Sequence, residues 1–129
     1  MNLNQVTLPC TSIPNSIAFY RTLGLQLIVH TSDDYARFIA GTSTFSLHRT
    51  MEVPQNGSWV YFEVEDVDKT VTDLESKGVT ITERPEDKKW LWREARTQDP
   101  DGNIIIIYHA GEMRENPPWR YKEVNTEGV

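Results

Sequence analysis

The chain has 129 residues, a formal net charge of −6 and a hydrophobic content of 38%, a length that suits one domain or two small modules sharing a core. An acidic balance of this size argues against nucleic acid or an anionic membrane as the main partner, because both need a basic face. No apolar run approaches a transmembrane helix, and MNLNQVTLPC lacks the basic-then-apolar order of a signal peptide, so a cytoplasmic location is expected.

Leu3 to Leu8 alternates and predicts a first strand. Cys10, the single cysteine, can form no intrachain disulfide and reads as structural. Thr11 or Ser12 is placed to cap a helix with Pro14 in its first turn. Ile13, Ile17, Phe19, Tyr20 and Leu23 give that helix an apolar face, and Gly24 closes it. Strands are expected over 25–30, 35–40 and 44–49. After a linker at 50–58, a strand is expected over 59–65. Asp66 then caps a second helix carrying Val67, Val71 and Leu74, with Gly78 at its end. Further strands follow over 79–82, 90–97 and 104–108.

The last two strands flank the turn Asp99-Pro100-Asp101-Gly102, where Pro100 presets φ and Gly102 permits a positive one. Ile104 to Ile107 is a β-branched run suited to a strand buried on both faces. Before the turn, Trp90, Trp92, Glu94 and Arg96 fall on one face at period two. Two tryptophans, an acid and a base on one face point to a bound ligand rather than plain core.

The two halves repeat. When Gln5 is laid on Trp59, Leu8 falls on Phe62, Ile13 on Val67, Ile17 on Val71, Gly24 on Gly78 and Leu25 on Val79. The fold class is therefore α+β: two βαβββ modules, about 3–49 and 59–109, in one domain over 1–129. Each helix covers one sheet face, and the curved mixed sheet can close its other faces around a cleft.

IAFYRTLGLQL at 17–27, YFEVEDVDKTV at 61–71, LESKGV at 74–79 and DPDGNIIIIY at 99–108 resemble the vicinal oxygen chelate superfamily. Its members include glyoxalase I, extradiol dioxygenases, fosfomycin-resistance enzymes and bleomycin-binding proteins. The resemblance implies four metal-ligand positions, which here fall on Gln5, Ser46, Trp59 and Ile106. Trp59 and Ile106 cannot bind a divalent ion. It also implies a homodimer.

Strand parity places Gln5, Thr7, Ser46, His48, Trp59, Tyr61, Glu63, Ile106 and Tyr108 toward the cleft. Val6, Leu8, Val60, Phe62, Val64, Ile105 and Ile107 are placed toward the helices. Gln5, Trp59, Tyr61, Trp92, Arg96 and Tyr108 are the candidate substrate-binding groups, since aromatic walls with a few polar groups suit a small-molecule ligand. Two chemistries stay open. His48, Gln5 and Glu94 could form a displaced metal site for Fe, Mn, Ni, Co or Zn. Alternatively, Glu94 between tryptophans could act as a metal-free base for enolisation; Glu94 and His48 are the candidate catalytic residues. Against both stands a plain Glu94–Arg96 ion pair.

The expected function is a glyoxalase-like lyase, isomerase or dioxygenase acting on a small oxygenated metabolite. The rival is a metal-free binding or sequestering protein of the bleomycin-resistance type. Asn116 to Tyr121 is expected to be extended because of its prolines, and Asn125 to Val129 to be loose.

Overall fold

A computed structural model describes residues 1–55 and 57–122. The first module consists of β1 (Gln5–Cys10), α1 (Ile13–Thr22), β2 (Gln26–Ser32), β3 (Tyr35–Ala40) and β4 (Ser43–Arg49). The second repeats it with β5 (Trp59–Glu63), α2 (Val67–Ser76), β6 (Ile81–Asp87), β7 (Arg93–Gln98) and β8 (Ile104–His109). The sheets have matching orders, β1-β4-β3-β2 and β5-β8-β7-β6. In each, the first strand pairs parallel to the last and the remaining pairs are antiparallel.

Local chemistry explains the repeat. The Ser12 hydroxyl accepts from the Asn15 amide and the Asp66 carboxylate from the Lys69 amide, satisfying amides that the first helical turn leaves open. Gly24 and Gly78 follow the two helices with φ of 103° and 92°, a left-handed turn that a β-carbon would oppose.

Several strand ends shift by one or two residues from the sequence-based expectation, and three departures are larger. Strand β7 begins at Arg93 rather than Trp90, because Trp90 and Leu91 form the β6–β7 turn. Leu91 has φ of 68° there. Strand β6 continues to Asp87 through Pro85, which a strand at the sheet edge tolerates, and its pairing slips between Glu83 and Glu86. The tail is not extended over 116–121. A short 3-10 helix spans Gly111–Arg114, and Arg120 N–H donates to Pro117 C=O at 3.0 Å in a turn. Residues 125–129, expected to be loose, lie outside the described residues.

The helix-side faces of both sheets share one core with both helices. Leu8, Tyr20, Phe38 and Leu47 of the first module and Val71 and Ile105 of the second belong to it. Phe45 and Phe62 meet across the modules with ring centroids 6.1 Å apart. All four isoleucines of β8 are buried, as expected of a strand paired on both sides. Ile106 joins a second, smaller cluster on the outer face with Ile104, Tyr108 and Ala110, against which Trp92 packs.

The turn between β7 and β8 fastens the modules together. Asp99 is 4% exposed. Its Oδ1 accepts the amides of Asp101 and Asn103 at 3.0 and 2.9 Å. Its Oδ2 accepts Asn103 Nδ2 at 2.8 Å and the Tyr20 hydroxyl of α1 at 2.7 Å. Asn103 Nδ2 also reaches Pro9 C=O at 3.2 Å. Asp101 accepts the amide and hydroxyl of Thr11. Burial, then the neighbouring Asp99 charge, pushes the Tyr20 phenol far above its ordinary value.

This gives a pH dependence of defined sign. The folded phenol holds its proton above about pH 10, where the unfolded one releases it. The stabilisation is therefore complete below about pH 10 and falls as pH rises beyond it, by about 1.4 kcal/mol per unit. Urea unfolding of Tyr20→Phe should show a loss of about 1.5–3 kcal/mol at neutral pH and a shallower alkaline decline than wild type.

Candidate functional site

The faces turned away from the helices have diverged. On the first sheet, register sets Arg37 opposite Ser46 and Tyr35 opposite His48 across β3–β4, and Thr7 beside Ser46 across β1–β4. Ser46 is fully buried and its hydroxyl is the hub of a polar network. Gln5 Nε2 donates to it at 2.7 Å, and the Tyr35 hydroxyl lies 2.6 Å away. Arg37 Nε donates to the Tyr35 oxygen at 2.9 Å, and the Thr44 hydroxyl donates to Gln5 Oε1. The Ser46 bond lowers the Tyr35 phenol's pKa against the opposing effect of burial, with Arg37 adding to the lowering.

On the second sheet the corresponding face is aromatic. Trp92 stacks on Tyr108 with centroids 4.9 Å apart, and Tyr61 meets both rings edge-on at 5.9 and 5.4 Å. Arg96 Cζ lies 4.7 Å from the Trp59 ring centroid, within cation–π reach. Burial raises the phenols of Tyr61 and Tyr108, with Glu94 next for the first and Glu63 for the second. Both therefore remain protonated hydrogen-bond donors at neutral pH. Glu63 is an anchor rather than a base. Burial pushes its carboxyl up, but the Ala110 and Gly111 amides, backed by His109 and Arg114, together bring it below the usual value.

A groove of about 600 Å³ runs where the start of β1 and the β3–β4 turn approach β5. That volume lies within the range of small-molecule sites. Its walls include Gln5, Val6, Phe45, Tyr61, Phe62 and Tyr108.

The candidate residues divide between these places. Gln5, Tyr61 and Tyr108 line the groove. Trp59, Trp92 and Arg96 lie on the aromatic face beside it. Val6, Val60, Phe62 and Val64, expected only beneath the helices, also line the groove, because β1 and β5 are edge strands of their sheets. Glu94 is 2% exposed. Its Oε2 accepts Trp90 Nε1 at 2.6 Å, and its Oε1 has no partner among the described residues. The expected Glu94–Arg96 pair does not form. Arg96 Nε instead lies 3.0 Å from Glu83 Oε2, although not aligned for a hydrogen bond, because Glu83 is the cross-strand partner of Arg96.

His48 is exposed on the first sheet, on a different sheet from Glu94. Gln5 is bonded to Ser46 and Glu94 to Trp90, and no hydrogen bond among the described residues joins either of them to His48. Among the described residues no group of three His, Cys, Asp or Glu side chains is placed to hold a metal ion. Tyr35 and Arg37 were not singled out in the sequence. Their signal was the alternation Tyr35-x-Arg37 opposite Ser46-x-His48, which becomes visible only once β3 and β4 are paired.

Residues 2–107 match the Glyoxalase/Bleomycin resistance protein/Dioxygenase superfamily. The chain belongs to this superfamily. It is 36% identical over 125 residues to the uncharacterised protein YraH of Bacillus subtilis (strain 168), covering 84% of this chain and 98% of that one. A solved structure described as a conserved domain protein matches at 26% identity and TM-score 0.71, over 85% of this chain and 99% of its own. The crystal structure of a glyoxalase/bleomycin resistance protein/dioxygenase from Nocardioides matches at TM-score 0.78 and 17% identity, over 95% and 90% of the two chains. At that identity the likeness is one of fold.

Members of the superfamily often bind divalent metals, and the donor set here does not fit one. At the four ligand positions, Ile106 is fully buried and apolar, and Trp59 offers only an indole. Gln5 and Ser46 are bonded to each other.

The single donor to Glu94 gives a measurable consequence. Trp90→Phe strands a buried carboxylate and should cost about 1–3 kcal/mol in urea unfolding. In Glu94→Leu, which removes the stranded group, the same Trp90 change should cost much less.

Proposed function

We propose that the chain binds a small, largely apolar, planar molecule in the inter-module groove and does so without a divalent metal. The observation that carries this reading is the groove itself. Val6, Phe45 and Phe62 give it apolar walls, and Tyr61 and Tyr108 add two phenols held in the donor state. Apolar walls supply affinity and the phenols orientation. The metal positions supply no competing chemistry, since their oxygens are committed within the protein or replaced by apolar atoms. These features support a reading nearer the binding and sequestering members of the superfamily than its metal-dependent lyases and dioxygenases. A reducing compartment suits the buried free thiol of Cys10.

Chemistry on a small oxygenated metabolite is the second reading. One observation favours it: the buried Glu94 carboxylate oxygen that nothing in the described protein bonds. A carboxylate so placed could take a proton from a ligand seated against the aromatic face. Loss of turnover in Glu94→Gln with binding retained would distinguish that reading from pure binding.

The probe for the groove is 2-naphthol, a planar neutral molecule with one hydroxyl. Titration followed by tryptophan fluorescence should saturate in the wild type. Val6→Arg, which sets a charge at an exposed position of the groove wall, should weaken binding at least about tenfold, since an unpaired charge must then be desolvated. Unchanged binding in Val6→Arg would remove the groove from consideration.

A homodimer is proposed as well. Exposed apolar side chains outside the groove on both modules, Ile28 and Ile39 on the first and Trp59 and Trp90 on the second, support it. Light scattering coupled to size exclusion should give twice the 14.9 kDa chain mass. A monomer at micromolar concentration would contradict it.

A further inference from the structure

The first sheet carries an arginine held by a phenol where an acid would be expected. Five of the eight arginines, Arg49, Arg84, Arg93, Arg96 and Arg114, each stand against an Asp or Glu carboxylate, and among the described residues Arg21, Arg37 and Arg120 do not. In a chain with 19 acidic and 13 basic side chains, that is the ordinary outcome. Arg37 makes no ion pair with any described carboxylate. Its Nε donates to the Tyr35 hydroxyl at 2.9 Å, and its Cζ sits 5.4 Å from the Tyr35 ring centroid. The Tyr35 oxygen is in turn 2.6 Å from the hydroxyl of Ser46, a fully buried residue that also receives Gln5 Nε2. An exposed guanidinium is thus tied through its inner N–H to a relay that ends in the sheet. Its remaining four N–H groups have no described acidic partner.

We propose that Arg37, oriented by Tyr35, binds the carboxylate group of a small molecule on the outer face of the β1-β4-β3-β2 sheet. Two arguments carry the assignment. The geometry is right: a guanidinium presents paired N–H donors in a plane, matching the two oxygens of a carboxylate. The ordering cost is reduced, because the Nε bond already restrains a side chain that would otherwise lose rotamer freedom on binding.

Phosphate shares the fork chemistry. The net charge of −6 repels a dianion more than a monoanion, so the carboxylate is the assigned ligand. Neither Tyr35 nor Arg37 lines the inter-module groove. Strand β3 lies two strand spacings, about 10 Å, from β1. The inference therefore does not depend on what the groove holds.

The test is solution NMR of the full chain at fixed ionic strength, following the Arg37 side-chain Nε–Hε signal and the backbone amides of Arg37 and Ser46. The probes are benzoate, its neutral analogue benzamide, and inorganic phosphate. Benzoate should move the Arg37 signal saturably, at least about tenfold more tightly than benzamide and more tightly than phosphate. By the amide signals, Arg37→Gln should abolish the preference for benzoate over benzamide. Tyr35→Phe, which keeps the charge and frees the guanidinium, should weaken benzoate by about threefold to tenfold. Arg37→Lys should not restore wild-type affinity, because an ammonium cannot both bond Tyr35 and present a fork.

Equal effects of benzoate and benzamide in the wild type would overturn the proposal. So would a benzoate preference that survives in Arg37→Gln, or phosphate binding in place of benzoate. Failure of 2-naphthol to bind the groove would leave all of these readings unaffected.

Discussion

The carboxylate of Asp99 is the point on which the two modules hang together. Through the β7–β8 turn it gathers two backbone amides, the Asn103 side chain and the Tyr20 hydroxyl. It is buried, so its charge is tolerable only while those donors are present. Three of them come from its own turn and shape it, and the fourth comes from α1 of the other module. Asn103 and Asp101 extend the same junction to Pro9 and Thr11 at the end of β1. With β1 and β8 tied at that end, the helix-side faces meet in one core. The opposite ends of β1 and β5 are left bordering a groove.

One structural unit used twice has produced two different outer faces. The first is a polar relay built on a buried hydroxyl, with an arginine at its rim. The second is an aromatic plate over a buried carboxylate, and Trp90 on the β6–β7 turn provides that carboxylate's hydrogen bond. The pairs Gln5–Trp59 and Ser46–Ile106 show the divergence position by position. Where the superfamily often gathers metal ligands, this chain has one bonded polar pair on the first sheet, and an indole and a buried aliphatic side chain on the second. On the proposed reading, the site recognises by shape, phenol donors and charge rather than through an ion.

Much of this was legible in the residues. The matched glycines after both helices, the helix caps and the isoleucine run predicted the duplicated fold, because each acts within a few residues of itself. Parity correctly separated Ile105 and Ile107, in the core, from Ile106 on the outer face. What parity could not supply was proximity across strands and sheets. Glu94 and Arg96 share a face, yet Arg96 turns to Glu83 on β6 and Glu94 to Trp90 in the turn, choices that depend on strand register. His48 and Glu94 both read as cleft residues, but they stand on different sheets. The lining of the groove by Val60, Phe62 and Val64 depends on β5 being an edge strand, which only the strand order reveals. The strand through Pro85 escaped for the same reason, since a proline is excluded from a central strand but not from an edge.

The measurement that bears most directly on a metal-free binding site is the metal content of protein purified without chelators or an added histidine tag, followed by titration of Mn, Fe, Co, Ni and Zn in a thermal-shift assay. The account predicts substoichiometric metal and no saturable stabilisation by any of the five ions, in wild type and in His48→Ala alike. Stoichiometric metal in the wild type that is lost in His48→Ala would contradict it, and would show that the chain assembles ligands that the described fold keeps on separate sheets.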